Sequence, residues 1–283
     1  LDLFEIRNLT KKFKNKIVLS DISLSLENGV YGLLGANGAG KTTLLRCITQ
    51  LYPECSSSVF YNNKGIADSP EILNRIGYLP QEFDFLKDLT VFESMMLLSN
   101  LKGVQKKKAI NDIENVLQLV NLVEDKHKKV RYLSGGMLRR LGIAQALLNE
   151  PKIVIFDEPT SGLDPIERLR FKSIVSKIEK DRIVIISTHI VEDIEAVCDK
   201  VIIIDEGKIK FCSSCDELIQ KAYGKVYECP EKNIIDISGK YYIVKLYMCN
   251  NNTMARVITA EKQILSQCEP TIEDGYLCII EKI

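Results

Sequence analysis

The most constraining feature of this sequence is a glycine-rich segment, Gly35-Ala36-Asn37-Gly38-Ala39-Gly40-Lys41-Thr42. It fits the pattern G-x-x-x-x-G-K-[ST], in which backbone N–H groups and the first turn of a helix surround an anion. The preceding run from Val30 to Leu34 has strand character, and Thr43 to Leu51 is helix-like. This order of strand, loop and helix is the context in which the pattern binds phosphate. The segment therefore predicts an α/β fold with a phosphate site.

Each fixed residue type in this segment has a chemical reason. Glycines let the backbone turn its N–H groups inward. Lys41 supplies a mobile positive charge for the β- and γ-phosphates of a nucleotide, and the Thr42 hydroxyl is placed to bind Mg²⁺. We count Thr43 with residues 35–42 as nucleotide-binding. The alternative, a glycine-rich turn without function, does not account for the strand and helix on either side.

A second element of such a site follows the apolar run Ile153 to Phe156, which ends in Asp157 and Glu158. Ligands of α/β sheets lie outside the carboxyl ends of the strands. Adjacent strand residues point to different sides, so the two carboxylates can divide two tasks. We expect Asp157 to hold Mg²⁺ and Glu158 to act as the general base on the attacking water. On its own, the pair would be read as a solvated acidic strand end.

The rest of the first 224 residues alternates between strand and helix patterns. Continuous apolar runs at Ile183 to Ser187 and Val201 to Ile204 suit buried parallel strands. Helical spacing dominates residues 89–150, where Thr90 is a plausible N-cap, and recurs at Pro165 to Ile178. The alternation predicts a sheet covered by helices on both faces.

The pattern changes after about residue 224. Three β-rich runs follow, at Tyr241 to Met248, Ala255 to Thr259 and Leu277 to Ile280. We therefore divide the chain into residues 1–224 and a small α+β appendage, residues 225–283.

Composition excludes several classes of protein. Lys+Arg and Asp+Glu both number 38, so no large nucleic-acid footprint is expected. The N-terminus lacks the features of a secretory signal, and no apolar run is long enough for a spanning helix. Nine scattered cysteines suit a reducing compartment. Cys212 and Cys215 form a C-x-x-C, which we interpret as coincidence because a four-ligand zinc site is hard to assemble here.

A further motif, Leu133-Ser134-Gly135-Gly136-Met137, precedes the strand that ends in Asp157. With the glycine-rich loop, the acidic pair and His189 after a later strand, it resembles the ATP-binding subunit of ABC transporters over residues 1–220. The resemblance implies the fold of a P-loop NTPase of the ABC cassette type. That fold has a mostly parallel core sheet, an antiparallel β subdomain and a helical subdomain at about residues 89–150.

The resemblance also implies roles for single residues. Phe13 stands where the family has an aromatic residue that stacks on adenine; the alternative is a strand aromatic within a core. Gln81 resembles the glutamine that contacts Mg²⁺ and the attacking water, and so belongs with the catalytic and metal-binding residues. Asp164 falls in the loop that crosses the dimer interface, and His189 resembles the histidine that holds the γ-phosphate.

The motif with Ser134, Gly135 and Gly136 implies an assembly. In the family this loop reaches the γ-phosphate of ATP that is held by a partner cassette. The chain has one P-loop, so it needs a second copy of itself or a paralogous cassette. Met137 departs from the glutamine that is frequent in the family, which leaves open a weaker or differently regulated contact.

The function that follows from the resemblance is ATP hydrolysis, with ATP and Mg²⁺, coupled to transport through a separate transmembrane permease. Export is favoured, because the segment from Glu269 to Asp274, followed by Tyr276 and Leu277, resembles the end of subunits that serve ABC-2 type exporters; the alternative is an ordinary helix cap followed by a strand. The expected location is cytoplasmic, on the inner face of the cell membrane. The competing hypothesis is a non-transport ABC ATPase of translation or DNA repair, although fused cassettes and a long coiled coil are missing from the sequence.

Overall fold

The structure, a computed structural model, describes residues 2–283. Its strands, in chain order, are β1 (Leu3–Phe13), β2 (Lys16–Glu27), β3 (Gly29–Leu34), β4 (Val59–Tyr61), β5 (Lys64–Gly65), β6 (Ile76–Leu79), β7 (Ile153–Asp157), β8 (Ile183–Thr188), β9 (Lys200–Asp205), β10 (Lys208–Ser214), β11 (Val226–Pro230), β12 (Tyr241–Cys249), β13 (Asn252–Thr259) and β14 (Ser266–Gln267). Its α-helices are α1 (Lys41–Ile48), α2 (Val91–Leu101), α3 (Lys106–Leu119), α4 (Gly135–Leu147), α5 (Pro165–Ile178), α6 (Val191–Glu195), α7 (Cys215–Gln220) and α8 (Ile272–Glu281).

The central sheet has six strands in the order β10-β9-β3-β8-β7-β6. Five of them run parallel, and β10 is antiparallel to β9 at the edge. Alternate residues of a strand face opposite sides, so a strand that is covered on both faces is apolar throughout. In β7, Ile153 and Ile155 join one core, whereas Val154 and Phe156 join the other. This explains the continuous apolar runs of the sequence and confirms the mostly parallel core sheet.

The two cores differ in what covers the sheet. One face is covered by α1 and by an antiparallel sheet in the order β2-β1-β4-β5. The other face packs against α2, α3, α4 and α5. Thr90 caps α2 as expected: its hydroxyl accepts from the Glu93 backbone, and the Glu93 carboxylate accepts from the Thr90 backbone. Such a reciprocal cap fixes the start of the helix.

The last 58 residues contain a four-stranded antiparallel sheet in the order β12-β13-β11-β14. The expectation of strand structure at Leu277 to Ile280 is wrong, because these residues lie within α8. Thr271 and Asp274 cap this helix reciprocally, and Gly275 lets it approach the backbone of Leu218 in α7. An apolar run of four residues does not distinguish a strand from a buried helix segment.

The helix α8 also contacts the part of the chain before residue 224. Ile272 packs in one buried cluster with Leu34, Ile194 and Leu218. The division into residues 1–224 and 225–283 stays a prediction, and α8 is the element that crosses it. Within residues 2–283, no helix is both long enough and apolar enough to cross a bilayer.

Candidate functional site

The glycine-rich loop connects β3 to α1 at the carboxyl edge of the central sheet. Gly40 adopts a φ of 112°, a left-handed conformation that favours glycine, and it immediately precedes the first turn of α1. At Gly35, a Cβ would lie 2.4 Å from the carbonyl oxygen of Ile204, so a larger residue does not fit. The loop therefore needs glycine at these two positions for local steric reasons.

Beside this loop lies a pocket of about 430 Å³. It is lined by Val18, Asn37, Gly38, Gly40, Lys41, Thr42, Thr43, Gln81 and Glu158. The N-terminal N–H groups of α1 are in the same place, and such groups attract anions. The geometry therefore brings the predicted loop residues together with Gln81 and Glu158, which are distant from the loop in sequence.

Lys41 is buried, and its ammonium group has polar partners on two sides. Its Nζ donates to the carbonyl oxygens of Gly35 and Ala36, at 2.7 and 3.3 Å, and lies 3.5 Å from Oε1 of Glu158. Burial lowers the pKa of Lys41, and the carboxylates of Glu158 and Asp157 oppose this shift. A cation in this position can contact a phosphate that enters the pocket.

Asp157 has the environment of a metal-binding carboxylate. Its Oδ1 accepts from the Thr42 hydroxyl at 3.3 Å and from the Ser187 hydroxyl at 2.5 Å. Its Oδ2 is buried and has no hydrogen-bond partner within residues 2–283. A buried carboxylate oxygen is costly to leave unpaired, and a hydroxyl with a carboxylate is a donor set that Mg²⁺ accepts. Thr42 and Asp157 therefore fit a magnesium ion.

Glu158 lies directly after β7 and not within it. Its φ is 50°, so the left-handed backbone, rather than strand alternation, separates its side chain from that of Asp157. Both carboxylate oxygens of Glu158 lie near Nδ1 of His189, at 2.9 and 3.1 Å. The imidazole is 42% exposed on its other side, so it can also meet a group that enters from solvent. Glu158, which lines the pocket beside Lys41, thus connects the pocket to His189.

Several predicted site residues do not line this pocket. Gly35, Ala36, Ala39, Asp157 and His189 lie next to residues that do, whereas an exposed or half-exposed surface elsewhere holds Ser134, Gly135, Gly136 and Asp164. Ser134 caps α4 by accepting from the N–H of Met137 at 3.2 Å. Asp164 caps α5 in the same way, through the N–H of Glu167. Their roles towards a nucleotide stay predictions.

Phe13 also lies outside the pocket lining. Its ring packs edge-on against Tyr52, with 5.3 Å between the centroids, and Nζ of Lys11 lies 4.6 Å above it. The side chain is 39% exposed, so a face of the ring is open to solvent. The expected stacking on adenine stays a prediction.

Two residues that the motifs do not point to belong to this site. The Ser187 hydroxyl donates to Asp157 and accepts from the N–H of Glu158, at 2.9 Å. Arg139 of α4 donates to the backbone carbonyl oxygens of Glu158 and Gln81. A sequence signal existed for Arg139, because it falls on the same helical face as the buried Gly142 and Ile143. A charged residue in an otherwise apolar stripe needs polar partners.

Comparison with known proteins identifies the family. The family model described as ABC transporter matches residues 19–161, about half of the chain. The chain belongs to the ABC transporter family. Among relatives, the Bacillus subtilis (strain 168) ABC transporter ATP-binding protein YxlF is 33% identical, over 98% of this chain and 99% of its own length. This ABC chain is therefore an ATP-binding subunit, which confirms the resemblance to the ATP-binding subunits of ABC transporters.

Other relatives of this ABC subunit differ in size. The Nod factor export ATP-binding protein I of Burkholderia orbicola is 35% identical, over 72% of this chain and 68% of its own length. The human phospholipid-transporting ATPase ABCA3 is 34% identical over 83% of this chain, which spans 14% of that longer protein. A solved ATP-binding subunit of an ABC transporter has a TM-score of 0.68 and 25% identity, with coverage of 77% of this chain and 92% of its own. The ABC cassette fold is thus confirmed.

Proposed function

We propose that this subunit hydrolyses ATP and that the hydrolysis drives export through a separate transmembrane permease. The observation that carries the proposal is that Lys41, Thr42 and Glu158 line one pocket. Asp157 is bonded to Thr42 and His189 to Glu158, so both lie directly behind this lining. These residues come from the start of α1 and from the ends of β7 and β8. Phosphoryl transfer depends on positioning and charge stabilisation, and this set supplies both.

The residues divide the work of hydrolysis among them. Lys41 and the N–H groups at the start of α1 bind the phosphates, while Thr42 and Asp157 would hold Mg²⁺. Bound there, Mg²⁺ would neutralise developing charge on the phosphate oxygens. Glu158 accepts a proton from the attacking water, and His189 orients the Glu158 carboxylate through its Nδ1. Gln81, which also lines the pocket, aligns the same water.

The proposed assembly is a pair of cassettes closed over two ATP molecules. Ser134 and the N–H groups of Gly135 and Gly136 are at an exposed helix start, where an anion from outside the chain can be bound. We infer that they bind the γ-phosphate held by a second cassette, with Asp164 at the same interface. ATP favours the closed pair, and hydrolysis reopens it.

The proposal of export is supported by the Burkholderia relative, whose name describes Nod factor export. ABC transporter ATP-binding subunits work with transmembrane permeases, so the permease of this chain would contain the path of the substrate. On this proposal the subunit works on the cytoplasmic face of the membrane. Nucleic acid is not an expected partner.

The chemistry is tested by Glu158→Gln in the purified chain. We expect the rate of ATP hydrolysis to fall by about 100-fold or more, because the amide accepts no proton, while ATP binding persists. Hydrolysis at the parental rate would remove Glu158 from the role of general base. The transport function is tested by recovery of the tagged chain from gently solubilised membranes. A polytopic membrane protein at a near one-to-one ratio supports it, and ribosomal or DNA-repair proteins in its place would overturn it.

A further inference from the structure

We propose that Arg139 is a positioning residue for ATP hydrolysis: its guanidinium fixes the backbone on both sides of the pocket, so that Glu158 and Gln81 face the same space. The inference rests on the proposed function, because it gives Arg139 a purpose in the reaction of Glu158. It does not make Arg139 a catalytic residue, since its nitrogen atoms bond to the protein backbone and not to the reacting atoms.

The contacts of Arg139 reach two separate segments. On the β7 side, Nη2 donates to the carbonyl oxygens of Glu158 and Asp157, at 2.5 and 3.3 Å, and Nε donates to that of Pro159 at 2.9 Å. On the other side, Nη1 donates to the carbonyl oxygen of Gln81 at 3.1 Å. One rigid, planar group therefore sets the spacing between the chain at Gln81 and the chain at Glu158.

The surroundings of Arg139 keep this group in one place. The residue is 9% exposed and lies on the inward face of α4. Its guanidinium carbon is 5.4 Å from the centroid of the Phe83 ring. This ring packs directly against Gly142, where a Cβ would lie 2.5 Å from Cζ of Phe83. Burial lowers the pKa of Arg139, and the charges of Asp157 and Glu158 oppose this, so the group stays a cation. A buried cation with four carbonyl acceptors has little freedom to move.

The backbone at Glu158 needs such a partner. Its φ of 50° is unfavourable for a residue with a side chain, and β7 has just ended. The N–H of Glu158 still reaches the carbonyl oxygen of Ser187, at 3.2 Å, but its carbonyl oxygen accepts from the N–H of Ser161 in a turn, also at 3.2 Å, instead of continuing the strand. The Ser187 hydroxyl binds the N–H of Glu158, and Arg139 binds its carbonyl oxygen. With both peptide groups held, the direction of the carboxylate is determined.

The same helix connects this contact to the exposed surface. α4 starts with the cap at Ser134, and Arg139 follows five residues later on the same rigid element. A phosphate bound at Ser134 therefore acts on the helix that carries Arg139. Binding of a phosphate at Ser134 can therefore affect the position of Glu158 through α4 and Arg139.

The test compares Arg139→Gln and Arg139→Lys with the parental chain. We expect Arg139→Gln to lower kcat for ATP hydrolysis by about 100-fold, because a displacement of the general base of about 1 Å has that effect. The Kd for ATP should change by less than about threefold, since the P-loop contacts remain. Arg139→Lys should recover part of kcat, because lysine keeps the positive charge. The recovery should be incomplete, because an ammonium group cannot span the four carbonyl oxygens. A loss of kcat no larger than about threefold in Arg139→Gln would show the proposal to be wrong.

Arg256→Gln is the matched control, because Arg256 is also buried and also makes several hydrogen bonds, but it lies in β13 far from the pocket. If both glutamine variants lose kcat in proportion to their loss of thermal stability, Arg139 is merely structural and the proposal fails. If only Arg139→Gln loses kcat at a temperature where both are folded, the proposal holds.

Amide hydrogen exchange separates this inference from the proposed function. Arg139→Gln should accelerate exchange in the peptides that contain residues 80–83 and 157–160, and leave residues 35–43 unchanged. If Glu158→Gln keeps the parental rate of hydrolysis, the general-base role in the proposed function fails, whereas unchanged exchange in both peptides of Arg139→Gln overturns the positioning role. Faster exchange in one peptide alone would also overturn it, because the inference requires one group to hold both.

Discussion

Arg139 and Arg256 are both buried guanidinium groups, yet they are paired in different ways. The acceptors of Arg139 are backbone carbonyl oxygens, at Gln81 and from Asp157 to Pro159. Arg256 binds the carboxylates of Asp274 and Glu228, in addition to one carbonyl oxygen. Carbonyl oxygens are fixed points of the backbone, so the first arrangement defines geometry. Carboxylates cancel charge, so the second stabilises the packing of β13 against α8.

The electrostatics of the two arginines differ accordingly. The hydrogen bonds and charge of Asp274 raise the pKa of Arg256, against the effect of burial. Asp274 itself is fully buried and belongs to the cap of α8 with Thr271. Loss of either partner would leave the other as an unpaired charge in the interior. The lesson is that buried arginines of similar exposure can serve reaction geometry in one region and stability in another.

The largest effect on ATP binding is expected from Lys41→Ala, which acts on the pocket. We expect ATP affinity to fall by about 100-fold, because a charged hydrogen bond to the phosphates is lost. Thermal stability should change less than in Arg256→Gln, because Glu158, the carboxylate partner of Lys41, keeps its contact with Nδ1 of His189. Titration calorimetry with ATP measures the affinity. Lys245→Ala, in β12, is the control, and an equal loss of affinity there would contradict the assignment.

Arg256→Gln should destabilise the contact between β13 and α8, where Arg256 binds Asp274. Removal of one partner of a buried ion pair costs about 3–5 kcal/mol of unfolding free energy. Urea unfolding, followed by circular dichroism, measures this loss. The kcat for ATP should stay at the parental value below the unfolding transition. A fall in kcat comparable to that of Arg139→Gln would abolish the distinction between the two arginines.

A smaller effect is expected from Gly275→Ala in α8. The added Cβ would lie 2.2 Å from the carbonyl oxygen of Leu218, which is backbone and cannot rotate away. The helix must therefore shift from α7, at a cost of about 1–3 kcal/mol. Thermal unfolding measures it. Alanine usually strengthens a helix relative to glycine, so a rise in stability would mean that α7 and α8 are not in close contact.

The smallest effects come from the two reciprocal helix caps. Thr90→Ala and Thr271→Ala should each cost about 1 kcal/mol. The loss should be greater for Thr271, because its partner Asp274 also holds Arg256, whereas Glu93 is bonded to Thr90 alone in its cap. Parallel urea titrations of the two variants decide this. Equal losses would show that the cap and the ion pair of Asp274 act independently.

The sequence predicted the elements whose pattern is local. The apolar runs of β7 and β8, the P-loop before α1 and the cap at Thr90 are each defined within a few residues, and all were confirmed. The helix α8 was mistaken for a strand in part, because its apolar run is short and its burial is decided by Leu218, a distant residue. A local sequence pattern does not indicate the contact between α8 and Leu218, because the two are far apart in the sequence.

The site was predictable only where a motif names a side chain. The motifs pointed to Lys41, Asp157 and Glu158. The fold brings Lys41 close to Glu158, and Asp157 is bonded to Thr42, the neighbour of Lys41. Ser187 was missed because its partners, Asp157 and the N–H of Glu158, belong to another strand end. Arg139 was missed because it donates to backbone carbonyl oxygens, which every residue has and which therefore leave no pattern in the sequence. The separation of Asp157 from Glu158 was expected from strand alternation, but it comes from the left-handed conformation of Glu158, which the sequence pattern does not reveal.

That conformation at Glu158 sets a trade-off between durability and reactivity. A left-handed residue with a side chain costs about 1–2 kcal/mol relative to glycine, which adopts it freely. A glycine at position 158 would therefore relieve the backbone and give a more robust but inert subunit. Selection for heat resistance alone would replace the glutamate at this position. The glutamate is therefore explained by a requirement of function and not by a requirement of folding.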